Sequence, residues 1–134
     1  MTEAKNWGMI AGLVLHILIG GLLILTGMQK VLGLVASEAL GKYGLDGQMR
    51  MIGAGALLTA LLLLIPRTSS LGVWFTSAFW GGAICIHMAH GEPYLVQAVL
   101  LVLSWAGAYL RNPAALRSLS ASPGMMLESE AALP

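Results

Sequence analysis

Between Lys5 and Lys30 the chain carries no Asp, Glu, Lys or Arg, and three more such gaps follow. The uncharged apolar runs cover residues 7–28, 51–65, 69–88 and 94–110, roughly 15 to 22 residues each. An α-helix needs ~20 residues to cross ~30 Å of hydrocarbon. Lipid offers no partners to backbone N–H and C=O groups, so a run of this kind must be helical. Membrane strands alternate over ~10 residues, and these runs do not alternate.

Composition agrees with that choice of solvent. Of 134 residues, 57% are hydrophobic and 10% charged, whereas a soluble domain carries about 25% charged residues. The net charge of +1 leaves no footprint for nucleic acid. The fold class expected is all-α: an antiparallel transmembrane four-helix bundle in one domain, residues 1–113, with spans at about 7–28, 48–65, 69–89 and 94–110. The second span is short and borrows Gln48 to Arg50, the arginine snorkelling outward. Residues 114–134, rich in Ser, Ala and Pro, read as a flexible tail. The first span is too long for a signal-peptide core, and Glu3 weakens the basic segment such a peptide needs, so it is read as a mature helix.

The joints fit this division. Pro66 follows the second span and Ser69 is placed to N-cap the third. Gly91 ends the third and Pro93 opens the fourth. The connection from 29 to 49 is longer than a turn requires, and "VLGLVASEAL" within it suits a short interfacial helix. With four spans the termini share a side with Arg67, and Lys5, Arg67, Arg111 and Arg117 there face Lys30, Lys42 and Arg50 opposite. That slight bias, sharpened if Lys30 is drawn into the bundle, favours cytoplasmic termini in a bacterial inner membrane.

Each helix offers one stripe of small and polar residues: His16, Gly20, Leu23, Gly27 and Lys30; Arg50, Gly53, Leu57, Ala60 and Leu64; Thr76, Trp80, Ala83, His87 and His90; Gln97, Leu101, Ser104, Ala108 and Arg111. Small residues allow close approach, and polar groups turn away from lipid. Connectivity brings Lys30, Arg50, His87, His90, Glu92 and Gln97 to the face opposite the termini, with Glu38 in the loop above. Lys30 either snorkels or pairs with Glu38, and the pairing would draw the loop down as a lid. Gly8 and Gly12 form a small-xxx-small surface for self-association.

"GMQKVLG", "GAGALLTALLLLIPRTSSLGVWFTSAFWGGAICIHMAHGEP" and "WAGAYLRNP", together spanning most of residues 7–113, resemble the DoxX-like family of small integral membrane proteins. The resemblance implies a four-helix membrane protein. Some relatives are linked to quinone-coupled sulfur oxidation or oxidative-stress complexes, others to membrane-protein assembly. Gln29, Lys30, Glu38 and His87 hold the polar positions of that pattern; His16 and His90 fall outside it.

The pocket expected therefore comprises Gln29, Lys30, Glu38 and Arg50 from the first half of the chain, with Trp80, His87 and His90 from the second. His87 and His90 with one carboxylate lack metal-site spacing, and the bland reading is a helix end at the membrane interface. A haem would need axial histidines at equal depth, and His16 lies well below His87. His16 is better used in a cross-helix hydrogen bond, with Ser104 in the same layer. The lone Cys85 cannot run dithiol chemistry. No catalytic motif is present. The classes that remain are an accessory subunit of a quinone-linked redox system, a lipid-binding or assembly factor, and a small transporter or channel subunit. The last is weakened by the absence of any internal repeat. The bilayer is the certain partner; a membrane redox partner or a second copy of the chain is the further expectation.

Overall fold

In the computed structural model, residues 2–35 and 41–113 are described, and their regular structure is helical throughout. Helix α1 is Thr2–Val31, α2 is Met49–Leu64 preceded by a 3₁₀ turn at Asp46–Gln48, α3 is Ser69–Ala89 and α4 is Leu95–Arg111. Three segments are long and apolar enough to cross a membrane: Asn6–Val31, Asp46–Leu64 and Ser69–Ala89. The fourth, Leu95–Arg111, is apolar but shorter, 17 residues, or ~25 Å of helix. The outward surface of all four is hydrophobic, with Ile17, Leu18, Leu25, Leu61, Trp74 and Val102 among the exposed side chains. Large apolar side chains facing outward in every helix are what a lipid solvent requires, and they mark a membrane protein.

The helices pack in a ring, α1 on α2, α2 on α3, α3 on α4 and α4 on α1. Leu23, Ala56, Ala60 and Leu63 are fully buried, joined by Ile19, Val73 and Trp80. Glycines set the spacing. A Cβ at Gly27 would lie 2.9 Å from the Gly53 carbonyl oxygen, and one at Gly12 only 2.6 Å from that of Gly107. Van der Waals packing is the main attraction between helices in lipid, so such contacts hold the ring together. The Gly12 contact corrects one expectation: this glycine is spent inside the ring on α4, and does not present a dimerisation surface. Buried hydroxyls are satisfied within their own helices, Thr59 on Gly55, Thr76 on Gly72 and Ser104 on Leu100.

The helix ends explain the geometry around the site. Gly33 and Gly91 adopt positive φ, +68° and +67°, and each closes a Schellman motif. After α1, Leu34 N–H donates to Gln29 O and Gly33 N–H to Lys30 O; after α3, Glu92 N–H donates to His87 O and Gly91 N–H to Met88 O. At the start of α3 the cap residue is Thr68, not Ser69. Its hydroxyl turns back to the Leu62 carbonyl at 3.0 Å, so it closes α2 and leaves α3 without a side-chain cap. Likewise Tyr94, not Pro93, precedes the first residue of α4. Residues 32–35 form a turn. The rest of the expected interfacial helix, with Glu38, lies outside the described residues, as does 114–134.

His16 is buried and bound on both sides. Its Nε2 is 3.1 Å from the Ser104 carbonyl oxygen, and its Nδ1 is 2.7 Å from Arg111 Nη1. A carbonyl only accepts and a guanidinium only donates, so the ring is the neutral Nε2–H tautomer. The cross-helix bond to Ser104 is present, made to the backbone; the sequence places Arg111 on the inward stripe of the fourth helix without a partner, and the structure supplies His16. Replacing His16 with Ala is expected to strand both partners and cost about 2–4 kcal/mol, read as a lower unfolding midpoint in detergent. The same variant should relieve Gly107→Ala, whose Cβ would otherwise sit 2.5 Å from His16 Cδ2. Additive losses in the double variant would contradict this packing.

Candidate functional site

A cavity of about 400 Å³ opens where the last turns of α1 and α3 meet the first turns of α2 and α4. Lys30, Ile52, Trp80, Ile86, His87 and Gln97 line it, with Tyr43 and Leu45 contributed by the first connection. The wall is mainly apolar, with few polar groups, the usual composition of a small-molecule site. Lys30 also borders a second, more open hollow shared with Asp46 and Arg50.

Of the residues expected in the pocket, Lys30, Trp80 and His87 are brought together. Gln29 is exposed on α1 and contributes nothing to the cavity. Arg50 is also exposed and lines only the outer hollow, since the first turn of α2 carries it clear of the ring. His90 is exposed too: α3 ends at Ala89, so His90 is its C-cap, and its Nδ1–H donates to Ile86 O at 2.9 Å. Glu38 lies outside the described residues, and the proposed Lys30–Glu38 pair with it. Among the described residues, no group of three or more His, Cys, Asp or Glu side chains is arranged to hold a metal ion.

Two lining residues, Tyr43 and Gln97, and Glu92 behind them are not among the pocket residues the sequence suggested. The Schellman turn ties Glu92 N–H to the carbonyl of His87, and that tether sets their side chains side by side. His87 Nδ1 lies 3.1 Å from Glu92 Oε2, off the axis an aligned hydrogen bond needs, so the contact is electrostatic. On its other edge His87 Nε2 is 2.9 Å from Gln97 Nε2. Glu92 also takes a 2.7 Å ion pair from Lys42 and a short hydrogen bond from the Tyr43 hydroxyl. The Tyr43 ring packs against His87 and His90, with centroids 5.8 and 5.0 Å apart. This latch holds Gly41–Leu45 down over the cavity, the work assigned by the sequence to Lys30 and Glu38. The signal was present in "GKYGLDG", where Gly44, at φ +67°, turns the chain sharply beside Tyr43.

Lys42, and after it Tyr43, hold the Glu92 carboxyl at about 2, below its ordinary 4.5. Glu92, then Tyr43, raises the Lys42 ammonium above its ordinary 10.5. A carboxyl so depressed stabilises the latch above about 4.5 and loses that contribution as pH falls toward 2. A raised ammonium contributes fully below 10.5 and fades as pH climbs past it. The Lys42–Glu92 pair should therefore stay charged between those limits and be sensitive to salt, because it faces solvent. The Glu92 carboxyl carbon should titrate by NMR with a midpoint near 2. Glu92→Gln should speed tryptic cleavage after Lys42 several-fold. A midpoint near 4.5 would contradict the latch.

Three buried polar atoms in this region have no hydrogen-bond partner among the described residues: Trp80 Nε1, His87 Nδ1 and Gln97 Oε1. Each belongs to a side chain of the cavity wall. An unsatisfied buried donor or acceptor costs about 1–3 kcal/mol. Three at one location, beside a Lys30 ammonium whose hydrogen bond among the described residues is a 3.5 Å contact to Thr26 O, make this cavity the candidate site. Comparison with protein-family models, curated proteins and solved structures finds no match for this chain.

Proposed function

We propose that this chain is a DoxX-like integral membrane protein, an antiparallel bundle crossing the bilayer four times, whose cavity holds a quinone-type ring for a larger redox system. The fourth helix, ~25 Å long, crosses with Tyr94 at one interface and local thinning of the bilayer making up the remainder. The termini face the cytoplasm of a bacterial cell, and the cavity lies near the opposite face of the inner membrane.

The observation that carries the reading is the set of unpartnered polar atoms in an otherwise apolar cavity. A quinone has a flat apolar ring and carbonyl oxygens that only accept. Trp80 Nε1–H and the Lys30 ammonium are the donors, and the Trp80 and Phe79 rings supply the flat apolar walls. The protein contributes binding and orientation; electrons come from a partner. Purification in mild detergent followed by mass spectrometry of the extracted lipids tests this. A near-stoichiometric quinone is expected. A ligand-free protein that brings down one membrane protein instead would favour the assembly role.

A further inference from the structure

The contacts of His87 behind the cavity, electrostatic to Glu92 and hydrogen-bonded to Gln97, restrict the ligand more narrowly than its apolar walls do. Glu92 is a carboxylate, which accepts and never donates. With Oε2 3.1 Å from His87 Nδ1, the proton of a neutral imidazole belongs on Nδ1. Nε2 then carries a lone pair and must receive a donor. The Gln97 amide answers with its NH₂, at 2.9 Å. The amide oxygen is thereby turned away from His87 and left as a buried acceptor with no partner, while Trp80 Nε1–H is a buried donor with none. The His87 edge that Gln97 faces is taken, and the Ser77 hydroxyl, one turn before Trp80 on α3, serves Trp105.

We propose that the Glu92–His87–Gln97 chain makes the cavity selective for an apolar ring bearing a hydroxyl group, whose O–H donates to Gln97 Oε1 while a ligand oxygen accepts from Trp80 Nε1–H. A ring with carbonyls alone satisfies the tryptophan and leaves the glutamine stranded; a hydroxylated or reduced ring satisfies both. The inference rests on the reading of the cavity as the seat of a ring-shaped ligand, and adds which member of that class binds best. Gln97 is the selecting residue. His87 and Glu92 are positioning residues, Glu92 acting without lining the cavity itself.

The experiment uses the full-length chain in lipid nanodiscs, with empty nanodiscs as the blank. Binding of 1-naphthol, 1-methoxynaphthalene and 1,4-naphthoquinone is measured by calorimetry. The hydroxyl compound should bind about tenfold more tightly than its methyl ether, the factor expected when a buried acceptor gains or lacks its donor. Gln97→Leu should bring that ratio close to one. Glu92→Gln should lower it at least threefold, because a neutral amide at 92 accepts either imidazole tautomer and frees Gln97 to flip. A structural role alone would weaken all three compounds together and leave the ratio unchanged. Equal binding of naphthol and its ether by the wild-type protein, or a ratio that survives Gln97→Leu, overturns the selectivity. If the quinone still binds in that case, the cavity reading stands; if none of the three binds, both fall.

Discussion

Gly72→Val is expected to abolish the folded protein. A Cβ at this position would stand 2.4 Å from both Cα and N of Leu63 and 2.6 Å from the carbonyl carbon of Leu62. These are backbone atoms of α2, so no rotamer change makes room. α2 and α3 are joined by a short turn, Ile65 to Thr68, and the Thr68 hydroxyl binds the Leu62 carbonyl at the point of collision. The hairpin must splay or lose that closure. Overpacking usually costs about 1–3 kcal/mol when side chains can shift; against main chain the loss should exceed about 3 kcal/mol. Gly81→Ala is the control, because a Cβ there meets nothing within 4 Å. Gly72→Val should fail to yield a monodisperse detergent-solubilised protein, while Gly81→Ala unfolds within a few degrees of wild type. A Gly72→Val protein as stable as the control would mean that α2 and α3 do not pack at this point.

The second large effect is on the ligand. His87→Ala is expected to lower occupancy by the reduced, hydroxyl-bearing quinol at least tenfold with little loss of fold. His87 is only half-buried and lies outside the apolar core formed by Leu23, Ala60, Leu63 and their neighbours. Its role is to face Glu92 on one edge and Gln97 on the other. Without it the Gln97 amide loses its orienting partner and Glu92 faces an unfilled space. Quinol recovered per mole of protein purified under reducing conditions is the readout, with thermal unfolding measured alongside. His87→Ala protein that unfolds normally and retains its quinol would remove His87 from the site.

The stripe spacing in the sequence anticipated much of this arrangement. His16, Gly20, Leu23 and Gly27 are all buried in sequence order along α1, as are Gly53, Ala60, Thr76 and Trp80 on their helices. That rule works because lipid penalises exposed polar groups and glycines mark close approach. It loses force at helix ends, where a residue can satisfy the spacing and still stand clear of the ring. Arg50 sits in the first turn of α2 and His90 just past the end of α3, and both are exposed. Periodicity also says nothing about loops. Tyr43 and Glu92 reach His87 through a left-handed turn at Gly44 and a Schellman closure, which depend on main-chain geometry that side-chain spacing does not encode. Gln97 stands on the inward stripe and in the cluster at that face, but spacing does not show how its amide is turned, and that orientation is what leaves an acceptor free. Thr68 shows the same limit in miniature: either it or Ser69 can cap α3, and only the position of the α2 carbonyls decides which hydroxyl turns back.

Everything about the cavity depends on the first connection and the α3–α4 turn lying on one side of the membrane. Single cysteines at Asp46, Arg67, Tyr94 and Asn112, introduced into a Cys85→Ala background and labelled with an impermeant maleimide in sealed vesicles of one orientation, test this directly. The account predicts that Asp46→Cys and Tyr94→Cys react from one face, and Arg67→Cys and Asn112→Cys from the other. Labelling of Asp46→Cys and Tyr94→Cys from opposite faces, or of Asn112→Cys from the same face as Tyr94→Cys, would contradict it.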